Sequence, residues 1–140
     1  MKIKLLFTTL LLLTASLTYA QNQHDNDTIA SITGDTTIYT AAEKMPSFPG
    51  GEMKMYEFLA MNVRYPQRAR QDGYSGTVYV RFVVEPDGSI TNIEVAKGVG
   101  GGCSEEAVRV VKMMPNWIPG EAFGKKVRVT YTLPVSFKLF

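Results

Sequence analysis

The sequence has very little of the chemistry on which enzymes and metal sites depend. One of its 140 residues is a cysteine, Cys103, and one is a histidine, His24. An internal disulfide needs two cysteines, and a Cys/His metal site or a histidine-activated nucleophile needs several such residues. Asp87 belongs to a turn, and Glu94, Glu105 and Glu106 are expected at solvated strand or helix positions, so no pattern brings a pair of carboxylates together at one site. The sequence therefore predicts no enzymatic activity, no metal, no cofactor and no small-molecule substrate.

Long apolar segments are also scarce. After Lys2 and Lys4, an apolar stretch of about 16 residues ends at Thr18-Tyr19-Ala20, whereas a membrane-spanning helix needs roughly 20. A basic start, a short apolar segment and small residues at the end are typical of a secretory signal peptide. We therefore expect residues 1–20 to be removed during export to the periplasm. Retention of this segment as a membrane anchor is the alternative.

An excess of positive charge is missing as well. Loss of residues 1–20 would remove Lys2 and Lys4 from the 15 basic residues, which leaves 13 basic residues against 13 acidic ones. A neutral domain lacks the electrostatic attraction on which nucleic-acid binding depends. We therefore expect no nucleic-acid partner.

Proline is absent before Pro46, and residues 21–45 are mostly small and polar. Such a segment buries too little apolar surface to offset the entropy lost on ordering, so it is predicted to be a flexible tail. Within it, Thr36 to Ala41 could form a short strand. Residues 46–140 are long enough for one small domain.

Three helical segments are predicted within residues 46–140. Apolar residues at i, i+3 and i+4 predict the first helix over residues 52–61. Pro66 can begin a short helical turn that ends at Gly73. A third apolar stripe follows Ser104, which is placed to cap a helix that Pro115 ends.

Strands are predicted where apolar and polar residues alternate. Residues 77–85 form one such strand, and the turn Pro86-Asp87-Gly88 leads into a hairpin partner over residues 89–97. Ile90 and Ile93 have opposite parity, which indicates a β-bulge between them.

The last strand is the most informative segment of the chain. Residues 127–139 alternate without interruption, and Pro134 lies among the polar positions. Because proline cannot donate to a sheet, a strand that contains one normally lies at the edge. Alternate residues direct their backbone groups to opposite neighbours, so those of Arg128, Thr130 and Thr132 are expected to face away from the sheet. Such an edge is either a blunted terminal strand or a docking site for another polypeptide.

Several spaced motifs resemble the TonB C-terminal domain family. They are Phe48-Pro49-Gly50-Gly51, Tyr65-Pro66, Ala69-Arg70, Gly73, Gly76, Asp87-Gly88, Glu106-Ala107, Met114-Pro115, Trp117, Pro119-Gly120, Gly124-Lys125 and the final strand. The resemblance covers about residues 46–140. It implies an α+β domain with a three-stranded antiparallel sheet, two or three helices packed on one face and the C-terminal strand at the sheet edge.

The resemblance also implies which residues meet a partner. Members of the family often carry a glutamine ahead of the Tyr-Pro motif that touches the receptor, and the matching position here is Asn62, followed by Arg64, Tyr65 and Pro66. Arg128, Thr130 and Thr132 of the last strand complete the predicted partner-binding set.

The function that the resemblance implies is capture of an extended segment of a partner by β-strand addition in the periplasm. The partner would be an outer-membrane TonB-dependent receptor, through its TonB box, or a related envelope protein, and the role would be support of energised transport. Energy transducers of the family carry a membrane anchor and a long proline-rich spacer, whereas all seven prolines here lie from Pro46 onward. A compact anchored transducer, if residues 5–20 are not cleaved, and a homodimer formed through the last strand stay open as alternatives.

Overall fold

A computed structural model describes residues 36–140; the predicted signal peptide and residues 21–35 lie outside them. The elements are β1 (Ile38–Tyr39), α1 (Glu52–Asn62), α2 (Gln67–Asp72), β2 (Gly76–Val84), β3 (Ile90–Lys97), α3 (Cys103–Lys112), β4 (Gly120–Ala122) and β5 (Lys125–Phe137). In this part of the chain, no helix has the length and apolar character needed to cross a membrane.

The centre of the sheet is the antiparallel set β5, β2 and β3, which confirms the predicted α+β fold with two or three helices, although the whole sheet has five strands and not three. Two short strands extend it. β4 forms a hairpin with the start of β5, and β1 pairs with β5 in parallel, with Ile38 opposite Arg128 and Tyr39 opposite Val129. Because Val129 is also opposite Val84, β1 and β2 lie on opposite sides of β5. β5 is therefore an edge strand only beyond Val129.

The domain begins earlier than residue 46. The compact unit runs from Thr37 to Phe140, so residues 37–45, which were expected in the flexible tail, belong to it. The predicted short strand is β1, and Lys44 exchanges two backbone hydrogen bonds with Glu121, at 3.0 and 2.9 Å. The polar composition of this segment suggested that the entropy lost on ordering would keep it flexible. Packing of Tyr39 and Ala42 against Val127 and Val129 offsets that loss.

The core lies between one face of the sheet and the helices. Even-numbered residues of β2 are opposite odd-numbered residues of β5, so their apolar side chains share that face. The sheet contributes Val78, Val80, Phe82, Val84, Leu133, Val135 and Phe137, and the helices contribute Met55, Leu59, Ala69, Ala107, Val110 and Val111. Burying each large apolar side chain contributes about 1.5–3 kcal/mol, so this layer is what holds the helices against the sheet.

The helix ends follow local backbone geometry. α2 ends at Gly73, whose φ of 73° gives the left-handed C-cap that glycine adopts without strain. The prediction that Ser104 caps the third helix is wrong, because α3 begins at Cys103 with Gly102 at the N-cap. The Ser104 hydroxyl instead accepts a bond from the Val99 N–H (3.0 Å) and donates one to the Val99 carbonyl (2.9 Å). Ser104 thus closes the glycine loop that precedes the helix.

The predicted bulge in the β2–β3 hairpin is confirmed. The register shifts between Arg81 and Val83, so that two β3 residues face one residue of β2. Asn92, one of these two, has a φ of 50°. A second shift lies between Tyr79 and Val80. β3 is therefore an irregular edge strand.

Candidate partner-binding edge

The unpaired side of β5 is the first component of the candidate site. β5 and β2 are joined by nine consecutive residue pairs, from Gly76–Phe137 to Val84–Val129, without a register shift. On its other side β5 pairs with β1 at Arg128 and Val129. Beyond them, no strand of residues 36–140 pairs with residues 130–137 on that side. We call residues 130–137 of β5 the open edge.

The direction of the backbone groups follows from the register. The Glu85 N–H donates to the Ser89 carbonyl across the hairpin at 2.8 Å, so odd-numbered residues of β2 direct their backbone groups toward β3 and even-numbered ones toward β5. Even-numbered residues of β5, which are opposite odd-numbered residues of β2, therefore point away from the sheet. Pro134, opposite Tyr79, fits this pattern because it has no N–H to offer β2.

The predicted outward residues separate into two groups. Thr130 and Thr132 lie on the open edge, with Ser136 in the same orientation. Arg128 lies in the covered part, opposite Ile38, so its expected place in the open stretch is wrong. Its guanidinium is bound to Glu85, from Nε to Oε2 at 2.8 Å and from Nη2 to Oε1 at 3.0 Å. The hydrogen bond from Arg128 lowers the pKa of the Glu85 carboxyl below its ordinary value.

A largely apolar cleft beside the open edge is the second component of the site. It has a volume of about 440 Å³ and lies between α1, the segment that follows α1, and the last part of β5. Its walls are Tyr56, Leu59, Ala60, Val63, Tyr65, Pro134, Val135, Ser136, Phe137, Lys138 and Phe140. We call it the α1–β5 cleft. Four of its wall residues, 134–137, are also open-edge residues, so the two components are continuous.

Helix α1 presents apolar side chains on its exposed side as well as on its buried one. Met55 and Leu59 are buried in the core, whereas Met53 is 72% exposed and Tyr56 49% exposed. Met53, Tyr56 and Ala60 are spaced three and four residues apart, which places them along one stripe of the helix. The Tyr56 hydroxyl donates to Glu52 Oε1 at 3.0 Å, and this bond to a carboxylate raises the pKa of Tyr56. α1 therefore borders the cleft with a second apolar surface.

Of the four residues predicted around the Tyr-Pro motif, Tyr65 is the one in the cleft wall. Its ring packs edge-on against Phe137, with centroids 5.8 Å apart and an interplanar angle of 87°. Its hydroxyl donates to the Tyr74 carbonyl, and the Arg70 guanidinium lies 5.7 Å from the ring centroid. Removal from solvent raises the pKa of Tyr65. Tyr65 thus joins the α1–α2 connection to the end of β5.

Asn62 and Arg64 are held by α3 rather than placed in the cleft wall. The Arg64 N–H donates to Glu106 Oε1 at 2.7 Å, and Arg109 Nη2 donates to the Asn62 carbonyl at 2.8 Å. Arg109 also binds both carboxylate oxygens of Glu106, which lowers the Glu106 pKa. The Asn62 side-chain amide donates to the Phe58 carbonyl at 2.7 Å. Pro66 is the N-cap of α2 and, like Asn62 and Arg64, lies outside the cleft wall.

The structure therefore adds functional candidates that the sequence analysis did not name. Tyr56 and Ala60 line the cleft, and their spacing from Met53 was the available signal. Glu106 and Arg109 fix the connection between α1 and α2. Their i, i+3 spacing is compatible with an ion pair, but it does not show that the pair binds this connection. Cys103 is fully buried, and burial raises the pKa of its thiol.

Two solved structures are similar to this chain, both NMR solution structures of overlapping fragments of the Helicobacter pylori TonB C-terminal domain. One is 25% identical, with a TM-score of 0.47, and the match covers 61% of this chain and 90% of that one. The other is also 25% identical, with a TM-score of 0.43, and covers 63% of this chain and 81% of that one. No curated protein matches the sequence significantly.

The family match rests on the sequence itself. Residues 61–139, more than half of the chain, match the family described as the Gram-negative bacterial TonB protein C-terminal domain. This range includes the connection after α1, the three central strands and the whole open edge. The chain therefore belongs to the TonB C-terminal domain family, whose members are periplasmic, interact with outer-membrane receptors and take part in TonB-dependent transport.

Proposed function

We propose that this domain captures an extended segment of an outer-membrane TonB-dependent receptor, its TonB box, by adding it as a strand to β5 in the periplasm. The observation that carries the proposal is the unpaired, bulge-free stretch of β5 beside an apolar cleft. Extended peptides bind to such edges through main-chain hydrogen bonds, which give affinity, while pockets for alternate side chains give specificity.

The open edge offers a limited number of bonds. Thr130, Thr132 and Ser136 each present an N–H and a carbonyl, and Pro134 presents a carbonyl alone. A net contribution of about 0.5–1.5 kcal/mol for each hydrogen bond amounts to several kcal/mol, part of which is lost in ordering the partner segment. Backbone pairing alone therefore supports reversible binding. Reversible binding is what a receptor segment needs if it is to be captured and then released.

β1 limits the length of the added strand. It occupies the outer side of β5 at Arg128 and Val129, so an added strand has the eight positions from Thr130 to Phe137 to pair with. At about 3.4 Å per residue, eight residues span roughly 27 Å. The proposal therefore applies to a short segment of the receptor and not to a long strand.

A matched pair of proline substitutions tests the proposal. Thr132→Pro removes an outward N–H from the open edge. Val95→Pro removes one from the edge of β3, because Val95 is opposite Val80, whose backbone groups point toward β5. The protein is the chain of residues 21–140, which contains the whole compact unit from Thr37 to Phe140. The probe is a synthetic TonB-box peptide from a receptor of the source organism, titrated by calorimetry.

We expect Thr132→Pro to weaken peptide binding by at least tenfold and Val95→Pro to change it by less than twofold. Thermal unfolding of both variants checks that the domain stays folded. Equal affinity of the wild type and the Thr132→Pro variant would exclude strand addition at β5. Sedimentation over a range of concentrations separates peptide capture from pairing between two copies of β5, since a tight dimer would occupy the same edge.

The periplasmic location of this chain is part of the proposal. Residues 1–20 would direct export, and release of the domain from the membrane depends on their removal before Gln21. We expect mass spectrometry of the protein from native cells to show a mature N-terminus at Gln21. Detection of the intact N-terminus in the membrane fraction would instead favour a compact anchored transducer.

A further inference from the structure

We propose that the α1–β5 cleft holds large apolar side chains from alternate residues of the added strand, and so selects segments with uncharged apolar residues at positions i and i+2. This inference rests on the proposed function and adds to it the chemical class of segment that the edge accepts. Its basis is the continuity between the open edge and the cleft, which share residues 134–137.

The geometry of a sheet directs side chains into the cleft. A strand added to β5 would lie about 4.8 Å from it, and its side chains would alternate between the two faces of the sheet. On one face they would continue the row of Leu133, Val135 and Phe137, which point toward the helices. That face is bordered by α1 on the outer side of β5, where Tyr56 and Ala60 form part of the cleft wall. Every second side chain of the partner therefore meets the cleft.

The cleft walls determine which side chains fit. Leu59, Val63, Val135 and Phe137 are apolar, and Lys138 is the wall residue with a charged side chain within the described part of the chain. Lys138 is exposed, so a carboxylate among the apolar wall residues would lose water without a buried charge partner, and an ammonium group would also be repelled by Lys138. The volume of about 440 Å³ exceeds what one side chain fills, and residues i and i+2 of a strand are only about 6.8 Å apart. The cleft therefore accommodates two neighbouring apolar side chains on the same face.

The opposite face of the sheet has different chemistry. Thr130 and Thr132 lie there opposite Val83 and Arg81, and the Arg81 guanidinium binds Glu94 with an Nε–Oε1 distance of 2.7 Å. Thr132 is exposed. Side chains of the added strand that point to this face remain in contact with water, so polar residues are accepted there. The preferred segment alternates apolar and polar residues.

Ala60 provides a direct test, because it is the smallest side chain in the cleft wall. Leucine is a good helix former, so Ala60→Leu adds volume to the cleft at an exposed helical position without opposing the helix. Met61→Leu is the matched control, since it introduces leucine at the neighbouring exposed position of α1, outside the cleft wall. The chain of residues 21–140 is titrated with the same receptor peptide and with a set in which each peptide residue is replaced in turn by alanine and by glutamate.

We expect alanine at either of two peptide positions, i and i+2, to weaken binding by about tenfold, and glutamate at the same positions to weaken it more. Replacements at the intervening positions should change the affinity by less than twofold. Ala60→Leu should weaken binding of the parent peptide by about tenfold. It should weaken binding of the two peptides with alanine at i or i+2 by less than twofold. Met61→Leu should bind all of them as the wild type does.

Two contrary results have different meanings. If replacements show no alternation, or if Ala60→Leu affects no peptide, while Thr132→Pro still abolishes binding, strand addition stands and the cleft does not select side chains. If no peptide binds the wild type, or if Thr132→Pro has no effect, the proposed function fails and the cleft inference fails with it.

Discussion

The two outer strands of the central sheet, β3 and β5, differ in the regularity of their exposed edges. β3 has two register shifts, and Asn92 within it adopts a positive φ. β5 pairs with β2 over nine residues without a shift. Bulges twist an edge and disrupt the row of backbone groups on which a foreign strand would pair, so they protect proteins against edge-to-edge association.

The contrast supports β5 as the edge for the proposed strand addition. An exposed edge is an aggregation hazard, and β3 carries the usual protection. On β5 the protection is partial, because β1 covers two residues and Pro134 removes one donor, while the remaining groups of residues 130–137 stay regular and lie beside an apolar cleft. One protected and one regular edge would restrict the proposed strand addition to a single place.

The largest difference between the two strands is expected from aspartate substitutions. Val129 on β5 is fully buried, whereas Val95 on β3 is 39% exposed. Val129→Asp places an unpaired charge in the core, so it should lower the free energy of unfolding by about 3–5 kcal/mol. Val95→Asp should lower it by about 1 kcal/mol or less. Urea denaturation of both variants measures the difference, and similar losses would show that the two strands are equally important for folding.

Two ion pairs sharpen the comparison at a smaller scale. Glu85–Arg128 connects the ends of β2 and β5 with side chains only 18% and 24% exposed, whereas the Arg81 and Glu94 side chains are 48% and 58% exposed. We expect Glu85→Gln to lower the free energy of unfolding by about 1–2 kcal/mol at pH 7, and Glu94→Gln by less than about 0.5 kcal/mol. Thermal unfolding of both variants at one pH measures this difference.

The pH dependence of stability checks the same pair. The pKa of Glu85 is lowered in the folded protein, mainly by the bond from Arg128. Its contribution is therefore fully present above the unfolded pKa, about 4.3, and is lost as the pH falls through the folded pKa. Between about pH 5 and pH 3 the wild type should lose more stability than the Glu85→Gln variant. Parallel stability curves for the two proteins would contradict this assignment.

The smallest predicted effect concerns the covered end of β5. Phe123 and Gly124 form the two-residue turn between β4 and β5, with φ values of 52° and 70°, and Phe123 is 80% exposed. Asparagine adopts positive φ more readily, and Asn-Gly favours this type of turn, so Phe123→Asn should raise the free energy of unfolding by roughly 0.5–1 kcal/mol. Peptide binding should not change, since the turn lies outside the open edge; a change in affinity would link the two ends of β5.

Sequence periodicity was enough to predict the three central strands, and the family resemblance implied their arrangement in one antiparallel sheet. β5 alternates strictly because one of its faces is buried, β2 places an apolar residue at every second position from Val78 to Val84, and the opposite parity of Ile90 and Ile93 indicated the bulge in β3. Pro134 identified the edge strand because its missing donor has a local and unambiguous effect. These features depend on residues that are close together in the chain, so they can be inferred from a single sequence.

Features that depend on distant contacts were not predictable in the same way. The ordering of residues 37–45 depends on packing against β5, and composition alone favoured a flexible tail. Glu106 binds Arg64, which lies 42 positions earlier in the chain, and Arg109 binds Asn62, which lies 47 positions earlier. The cleft exists because α1 lies beside β5, and helix periodicity identifies the buried side of α1 but not the strand that its exposed side borders.

The aromatic cluster behind β5 gives this domain a built-in optical reporter. Trp117 is the one tryptophan in the sequence, it is almost fully buried, and its ring lies 4.8 Å from that of Tyr131 on β5 and 5.8 Å from that of Phe48. Tyr131 is the neighbour of Thr130 and Thr132, so any movement of β5 changes the surroundings of the indole. Intrinsic fluorescence emission can therefore follow unfolding and any displacement of β5 without an attached dye.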